Sequence, residues 1–282
     1  MSKLILCTGG AGFVGSNLCR RLVKDGHRVI VLDNYFTGTK SNHVEGVDYR
    51  KGSNTDIATL VPETPDLIYH LGEYPRIETS LREPALVWKM NVAGTFSVIE
   101  YWREKKCKLV YAGSSTKFAD GGMGRNLAPY TWMKATNSEL IRNYATWYDL
   151  PYAITYFYSV YGPGERAAPY GTVIEIFKQK RLANEPICVV TPGTQKRNFT
   201  HVDDIIDGLV LVGEKGVGDE FGIGSDEAYS ILEVAQMFGG EIVMLPELQG
   251  NRMDSSVDTT KTRLLGWKST RHLPDYIKPF AL

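Results

Sequence analysis

The chain has 282 residues, of which 43% are hydrophobic and 23% charged. That is enough to bury a sizeable core in one large or two modest domains. Lys+Arg and Asp+Glu both number 32, the formal net charge is zero, and no block of five or six like charges occurs, which argues against a nucleic-acid or polybasic membrane surface.

The start, "MSKLILCTGG", reads as a first strand rather than a secretory signal, and no run of 18 apolar residues occurs. "KLILCT" predicts a strand and "GFVGSNLCRRLVKDG" a helix ending at Gly26. "HRVIVLD" and "DLIYHLG" predict strands, followed by a long helical stretch from about Pro84 to Lys105. "KLVYAGSS" predicts a strand, "APYTWMKATNSEL" opens a helix to about Tyr148, and "YAITYFYSV" predicts a strand. Strands alternating with helices imply a doubly wound α/β fold with a parallel sheet, of Rossmann type. After "YGPGE" the texture changes. "GTVIEIFKQKRL", "VDDIIDGLVLVGEKG", "SILEVAQMFG" and "TTKTRLLGW" look helical, with strand candidates at "PICVV", "DEFGIG" and "EIVMLP". The expected organisation is a dinucleotide-binding domain over residues 1–162 and a smaller mixed α/β substrate domain over 163–282, with chain crossovers between them. Cys7, Cys19, Cys107 and Cys188 show no CxxC pairing and no metal-ligand spacing, so they read as free thiols of a reducing, cytoplasmic compartment.

"TGGAGFVG" places Gly9, Gly12 and Gly15 just after the first strand and at the start of the first helix. Glycines there permit a tight turn and close approach of backbone to a pyrophosphate held at a helix N-terminus. Asp33 ends the next strand, where a carboxylate accepts hydrogen bonds from an adenosine ribose and repels a 2′-phosphate, so NAD is expected rather than NADP.

Taken together, "TGGAGFVG", "VLDNYFTG", "DLIYHLGE", "NVAGT", "GSS", "YTWMK", "VYGPG", "RNFTHVDD" and "DTTKTRLLGW" resemble the extended branch of the short-chain dehydrogenase/reductase superfamily, the NAD-dependent nucleotide-sugar epimerases and dehydratases. The resemblance covers nearly the whole chain. It implies a cofactor site of Gly9, Gly12, Phe13, Val14, Gly15, Asp33, Asn34, Gly38, Ser53, Asn54, Leu71, Gly72, Asn91, Tyr130, Lys134 and Tyr158. It implies Ser114, Tyr130 and Lys134 as catalytic residues, and Ser115, Thr116, Ser159, Arg197 and Arg252 toward a nucleotide-sugar substrate. It further implies a homodimer built on two helices of each subunit, matching residues 85–105 and 131–148, which carry Trp88, Phe96, Trp102, Leu140, Ile141 and Trp147.

Tyr-x-x-x-Lys occurs twice, at Tyr101/Lys105 and Tyr130/Lys134. The first pair ends a helix that leads into "KLVYAGSS", on the far side of a crossover. The second follows that strand's carboxyl end, where ligands gather in open α/β sheets, and Ser114 stands at that same end. A neighbouring ammonium favours phenolate and suits a tyrosine to act as base. Lys134 would also hold the nicotinamide ribose, and Ser114 would share the proton path while the sugar carbon gives a hydride to NAD.

The residues after Ser114 separate the branch's reactions. Its 4,6-dehydratases carry an Asp–Glu pair where this chain has Ser115 and Thr116, and its deoxysugar epimerase-reductases carry a Cys where this chain has Thr116. The expected activity is therefore C4 epimerisation through a transient 4-keto sugar. A nucleotide-sugar reductase, oxidoreductase (including a C4-oxidising decarboxylase) or dehydratase, and a non-catalytic NAD-binding regulator, are the alternatives. His70 and His201 read as structural. Asp203 and Asp204 read as helix-capping carboxylates rather than metal ligands. Arg197 and Arg252 match diphosphate-binding arginines. Ser159 replaces an Asn that is usual in the branch, and Ser53 an adenine-contacting Asp.

Overall fold

The computed structural model describes residues 1–166, 171–246 and 257–281, with the backbone alone described at 117 and 119–123. Its longer strands, in chain order, are β1 (Leu4–Thr8), β2 (Arg28–Asp33), β3 (Val47–Lys51), β4 (Leu67–His70), β5 (Lys108–Ser114), β6 (Tyr152–Phe157), β7 (Ile187–Val190), β8 (Gly218–Ile223) and β9 (Ile242–Leu245). Seven of them form one sheet in the order β8-β6-β5-β4-β1-β2-β3. Every pairing in it is parallel. A parallel sheet is covered on both faces, so its strands read as nearly continuous apolar runs.

The longer helices are α1 (Phe13–Lys24), α2 (Gly94–Lys105), α3 (Pro129–Tyr148), α4 (Val173–Leu182), α5 (Val202–Lys215) and α6 (Ile231–Phe238). Alternation along the strands divides the core. Ile5, Cys7, Leu67, Tyr69 and Val110 face a layer with Leu18 and Leu22 of α1 and Ile205 and Leu209 of α5. Leu6, Ile68, Leu109 and Tyr111 face the opposite layer, with Val98 and Trp102 of α2 and Ile141 of α3. A separate cluster joins Phe177 of α4, Ile187 and Val189 of β7, and Val234 and Phe238 of α6. There β7 and β9 pair in parallel.

Several expectations take a different form. "DEFGIG" supplies β8, the edge of the large sheet beside β6, and α5 packs on that sheet; both lie beyond residue 162 in sequence, which gives the expected crossover its shape. β3 had no clear sequence signal, because it is an edge strand whose residues are half-buried or exposed. The helical stretch begins with a turn at Pro84–Trp88, passes through a π-helical turn at Lys89–Ala93 and continues as α2. "YAITYFYSV" breaks after Phe157 and resumes as a two-residue strand, Val160–Tyr161. Ser159, at the break, has φ +39°, a strained conformation for a non-glycine residue. Trp102 and Ile141, expected at a subunit interface, are fully buried in this chain's own core.

Asp203 and Asp204 head α5, but the cap is His201, whose Nδ1 accepts a hydrogen bond from the Asp203 N–H at 3.2 Å. The Asp204 carboxylate instead accepts from the backbone N–H groups of Thr270 and Arg271, at 3.1 and 3.0 Å, and from the Arg271 guanidinium at 2.6 Å. It ties the C-terminal segment to α5. No cluster of His, Cys, Asp and Glu suited to a metal occurs among the described residues, and none of the described helices is long and apolar enough to cross a membrane.

Candidate active site

A cleft of about 400 Å³ opens at the carboxyl ends of the central strands. The turn between β1 and α1 forms one wall. Gly9 has φ +74°, and a Cβ there would stand 2.8 Å from the Gly72 Cα; a Cβ on Gly15 would stand 2.2 Å from the Gly9 carbonyl oxygen. Only glycine fits either place. No side chain caps the N-terminus of α1, so its leading N–H groups and helix dipole are available to an anion. Gly9, Gly12, Phe13, Val14 and Gly15 all line the cleft.

Asp33, at the end of β2, also lines it. Its carboxylate is fixed by the N–H groups of Ala11 (2.9 Å) and Tyr35 (2.7 Å). Burial pushes this carboxyl above its ordinary range, and those two hydrogen bonds oppose the rise. Gly38 stands behind it, where a Cβ would lie 3.0 Å from the Asp33 Oδ1. Asn34, Ser53, Asn54, Leu71 and Gly72 complete this half of the lining, and the Asn54 amide donates to the Gly72 carbonyl at 2.7 Å, joining the loops after β3 and β4. The uncapped helix end, the glycine cradle and the fixed carboxylate together fit a dinucleotide's pyrophosphate and adenosine ribose.

Ser114, Tyr130 and Lys134 line the same cleft. Ser114 ends β5 and its hydroxyl pairs with Thr116 Oγ1 at 2.8 Å. Pro129 starts α3, and the Thr131 hydroxyl accepts from the Ala128 N–H at 3.0 Å, which fixes the first turn and the direction of Tyr130 and Lys134. Tyr101 and Lys105 lie elsewhere: the Tyr101 hydroxyl donates to the Glu63 carbonyl at 2.7 Å, and Lys105 donates to the Pro62 carbonyl at 3.1 Å.

Other expected residues divide. Ser159 lines the cleft. Tyr158, expected at the cofactor, is 2% exposed and packs in the core, while its neighbours Phe157 and Ser159, on either side of the strand break, line the cleft. Asn91 is also outside the lining. Its side chain accepts from the Tyr74 N–H at 2.7 Å and donates to the Tyr74 carbonyl at 3.0 Å, so both polar ends are spent on holding that loop. Ser115, Thr116 and Arg197 do not line the cleft; Arg197 sits in a two-residue strand paired with Tyr229–Ser230. Arg252 lies outside the described residues. His70 is a core histidine, as expected.

The main surprise is Glu73, which follows "HLG" at the end of β4 and lines the cleft. Its carboxylate pairs with the Lys134 ammonium, which also donates to the Ala112 carbonyl. It further accepts from Thr95 (2.6 Å), Tyr111 (2.9 Å) and Asn137 (2.8 Å). Burial raises the Glu73 carboxyl, but the Lys134 charge and the hydrogen bonds from Lys134 and Thr95 outweigh it and hold the group below the usual carboxylate range. Burial and the Glu73 carboxylate push the Tyr111 phenol well up, so it stays a donor. Behind Glu73, Thr95 Oγ1 lies 2.9 Å from His70 Nε2, and Thr8 Oγ1 lies 2.6 Å from His70 Nδ1. Since Thr95 spends its proton on Glu73, His70 donates through Nε2 and accepts through Nδ1. Burial lowers its pKa to about 4, which agrees with a neutral ring. The signal for Glu73 was in the sequence, as a carboxylate at a strand's carboxyl end; its partners are distant in sequence and were not legible. Arg76, Glu165 and Arg166, on later loops, also line the cleft and were missed. Glu165 accepts from the Thr172 N–H at 2.6 Å, and burial lifts its carboxyl to about 7.

Comparison with known proteins agrees with this architecture. Residues 5–224 match the profile of the NAD dependent epimerase/dehydratase family. The chain is 29% identical to a putative UDP-glucose 4-epimerase of Methanocaldococcus jannaschii, over 98% of this chain and 96% of that protein. It is also 29% identical to UDP-glucuronic acid decarboxylase 1 of Xenopus tropicalis, over 94% of this chain and 68% of that protein. Among solved structures, UDP-glucose 4-epimerase of Thermotoga maritima with UDP-glucose superposes with a TM-score of 0.91 at 26% identity, covering 98% of this chain and 96% of the other.

Proposed function

This chain belongs to the NAD dependent epimerase/dehydratase family, and within that family we propose that it is a nucleotide-sugar C4 epimerase that works through a transient 4-keto sugar. NAD is its cofactor and, when bound, supplies the acceptor and donor of the hydride. The observation that carries the reading is the meeting of Ser114, Tyr130 and Lys134 in one cleft with the glycine turn and Asp33, with no acidic side chain at positions 115 and 116.

In this reading Tyr130 takes the proton of the C4 hydroxyl and later returns it. Tyr130 suits the task because no described group hydrogen-bonds its hydroxyl, which leaves that oxygen for the sugar. Ser114 orients the hydroxyl, and Lys134 fixes the ribose side of the site. Elimination of water would need a further acid and base near C5 and C6. Glu73 does not supply them, since all its hydrogen-bonding capacity is committed to Lys134, Thr95, Tyr111 and Asn137. Ser159, and Arg197 and Arg252 from outside the cleft lining and the described residues respectively, are assigned to the substrate's diphosphate side. Residues 1–162, with the returning β8, would form the cofactor unit, and most of 163–282 the substrate unit. The free thiols suit a cytoplasmic enzyme.

Relatives named for UDP-sugars make UDP-hexoses the first members of a test panel, followed by GDP-, CDP- and dTDP-hexoses. Incubation with the panel, followed by proton NMR of the anomeric and C4 positions, tests the reading: interconversion of C4 epimers supports it. A C4-oxidising decarboxylase is the second reading, favoured by the similarity to a UDP-glucuronic acid decarboxylase and by Arg76 and Arg166 in the lining, which could meet a uronate carboxylate. Release of carbon dioxide from a UDP-uronate would select it.

A further inference from the structure

We propose that Glu73 and Asn137 are positioning residues for the cofactor: together they fix the Lys134 side chain so that its ammonium keeps one N–H for the ribose beside the nicotinamide. The inference rests on the reading of Lys134 as the group that holds that ribose. It goes beyond that reading, because it assigns part of the cofactor's affinity to the two residues that hold the lysine.

The arrangement starts on α3, where Asn137 follows Lys134 by three residues, so the two share a helix face. The Asn137 amide donates to Glu73 Oε1 at 2.8 Å and to the Asn91 carbonyl at 2.7 Å, which spends both of its N–H groups. Asn91 in turn bonds both backbone groups of Tyr74, the residue after Glu73. The loop after β4 is thereby tied to α3 and to the π-helical turn, and Asn91 and Asn137 are both buried. Thr95 and Tyr111 also donate to Glu73 Oε1, at 2.6 and 2.9 Å, and Tyr111 reaches Oε2 only at 3.1 Å. Three donors therefore converge on Oε1, and Oε2 is the oxygen that receives the Lys134 ammonium.

A lysine ammonium has three N–H groups. At Lys134 one goes to Glu73 and one to the Ala112 carbonyl, and the Tyr111 ring flanks the ammonium at 4.4 Å from its centre. The third N–H has no oxygen or nitrogen acceptor among the described residues, and Lys134 lines the cleft that also holds the glycine turn and Asp33. A ribose hydroxyl is an acceptor of the right kind for it. Lysine carries its charge on a flexible four-carbon stem, and ordering that stem costs rotamer freedom. Here folding sets the order in advance, so the cofactor does not bear that cost on binding.

Calorimetric titrations of the full chain, freed of bound nucleotide, with ADP-ribose and with ADP test this without turnover. ADP-ribose carries the second ribose but no nicotinamide ring, so the ratio of the two affinities reads that ribose alone. In Glu73→Gln the three donors on Oε1 keep the glutamine oxygen and turn its NH2 toward the ammonium, so Lys134 is released while the shape is preserved. The preference for ADP-ribose over ADP should fall about tenfold. Asn137→Ala leaves the ion pair in place but loosens Glu73, and should lower the preference roughly threefold. A preference at or above the wild-type value in either variant overturns the proposal, and either variant decides alone should the other fail to fold. A merely structural role gives that contrary result, because it weakens both ligands equally and leaves their ratio unmoved. Glu73→Gln/Lys134→Met removes both charges, so neither is stranded, and it should lose at least as much of the preference as Glu73→Gln. If this double variant keeps the wild-type ratio, Lys134 does not meet the ribose and the underlying reading fails. If it loses the preference while Glu73→Gln keeps it, the proposal alone fails.

Discussion

Lys134 and Glu73 form a buried ion pair between α3 and the loop after β4, with side chains only 6% and 4% exposed. Removing one member of such a pair strands the other charge in a poorly solvated place, which costs about 3–5 kcal/mol. Lys134→Met should therefore destabilise the fold by about that amount as well as abolish turnover. Urea unfolding at neutral pH measures it, and a loss below about 1 kcal/mol, the level of an exposed pair, would show that the charges are not buried together.

The two Tyr-x-x-x-Lys pairs should behave oppositely. Tyr130→Phe removes only a hydroxyl from the cleft, so folding and NAD binding should survive while turnover falls by on the order of a hundredfold or more. Tyr101→Phe removes a hydrogen bond to the Glu63 carbonyl, which costs about 1 kcal/mol of stability and should leave turnover nearly unchanged. Steady-state rates on folded variants compare them, and a crippled Tyr101→Phe beside an active Tyr130→Phe would reverse the assignment.

Much of this was legible in the sequence, for identifiable reasons. Parallel strands buried on both faces write themselves as apolar runs, so β1, β2, β4 and β5 stood out, and the glycine turn and Asp33 are local in sequence. β3 was not legible because an edge strand carries mixed polarity. The inner placement of Tyr158 depends on where a strand breaks, and the side-chain partners of Asn91 depend on a π-helical turn. Glu73 was visible as a residue and invisible as a site member, since its partners come from α2, β5 and α3. Asp204 looked like a helix cap, and only the fold brings Arg271 to it.

Asp33 should discriminate between cofactors. Its fixed carboxylate would face the 2′-phosphate of NADP, so calorimetric titration should give tighter binding of NAD. Asp33→Asn should narrow the difference. Equal or stronger binding of NADP by the wild type would remove Asp33 from the ribose.

His70 gives the fold a dependence on pH. Burial depresses its folded pKa to about 4 from the ordinary histidine value of 6.5, so its contribution is fully present above pH 6.5 and is lost as pH falls toward 4. Between pH 7.5 and pH 5 that loss comes to roughly 2 kcal/mol. Glu73, also depressed, keeps its contribution above the ordinary carboxylate range and loses it as pH falls through and below that range, so it adds little to this window. Glu165, lifted to about 7, works in the opposite sense over the same window, so the His70 share is read as a difference in urea unfolding at the two pH values: on going to pH 5 the wild type should lose roughly 2 kcal/mol relative to His70→Gln. An unchanged slope in the variant would place the sensitivity elsewhere.

Trp88, Phe96 and Trp147 are 48%, 47% and 62% exposed, and Trp88 stacks against Trp132 at 6.2 Å between ring centres. Such a display of aromatic surface suits a partner, and we propose that it is a second copy of the chain. Light scattering at micromolar concentration should give the mass of a dimer, and Trp88→Glu should shift it to that of a monomer. A monomeric wild type would refute the assembly.

The most direct measurement of the central claim follows deuterium placed at C4 of a UDP-hexose, incubated with the enzyme without added NADH. Hydride removal and return at the same carbon should invert C4 while the label stays on that carbon and no NADH accumulates in solution. Stoichiometric NADH, release of carbon dioxide, or inversion with loss of the C4 label would contradict the account.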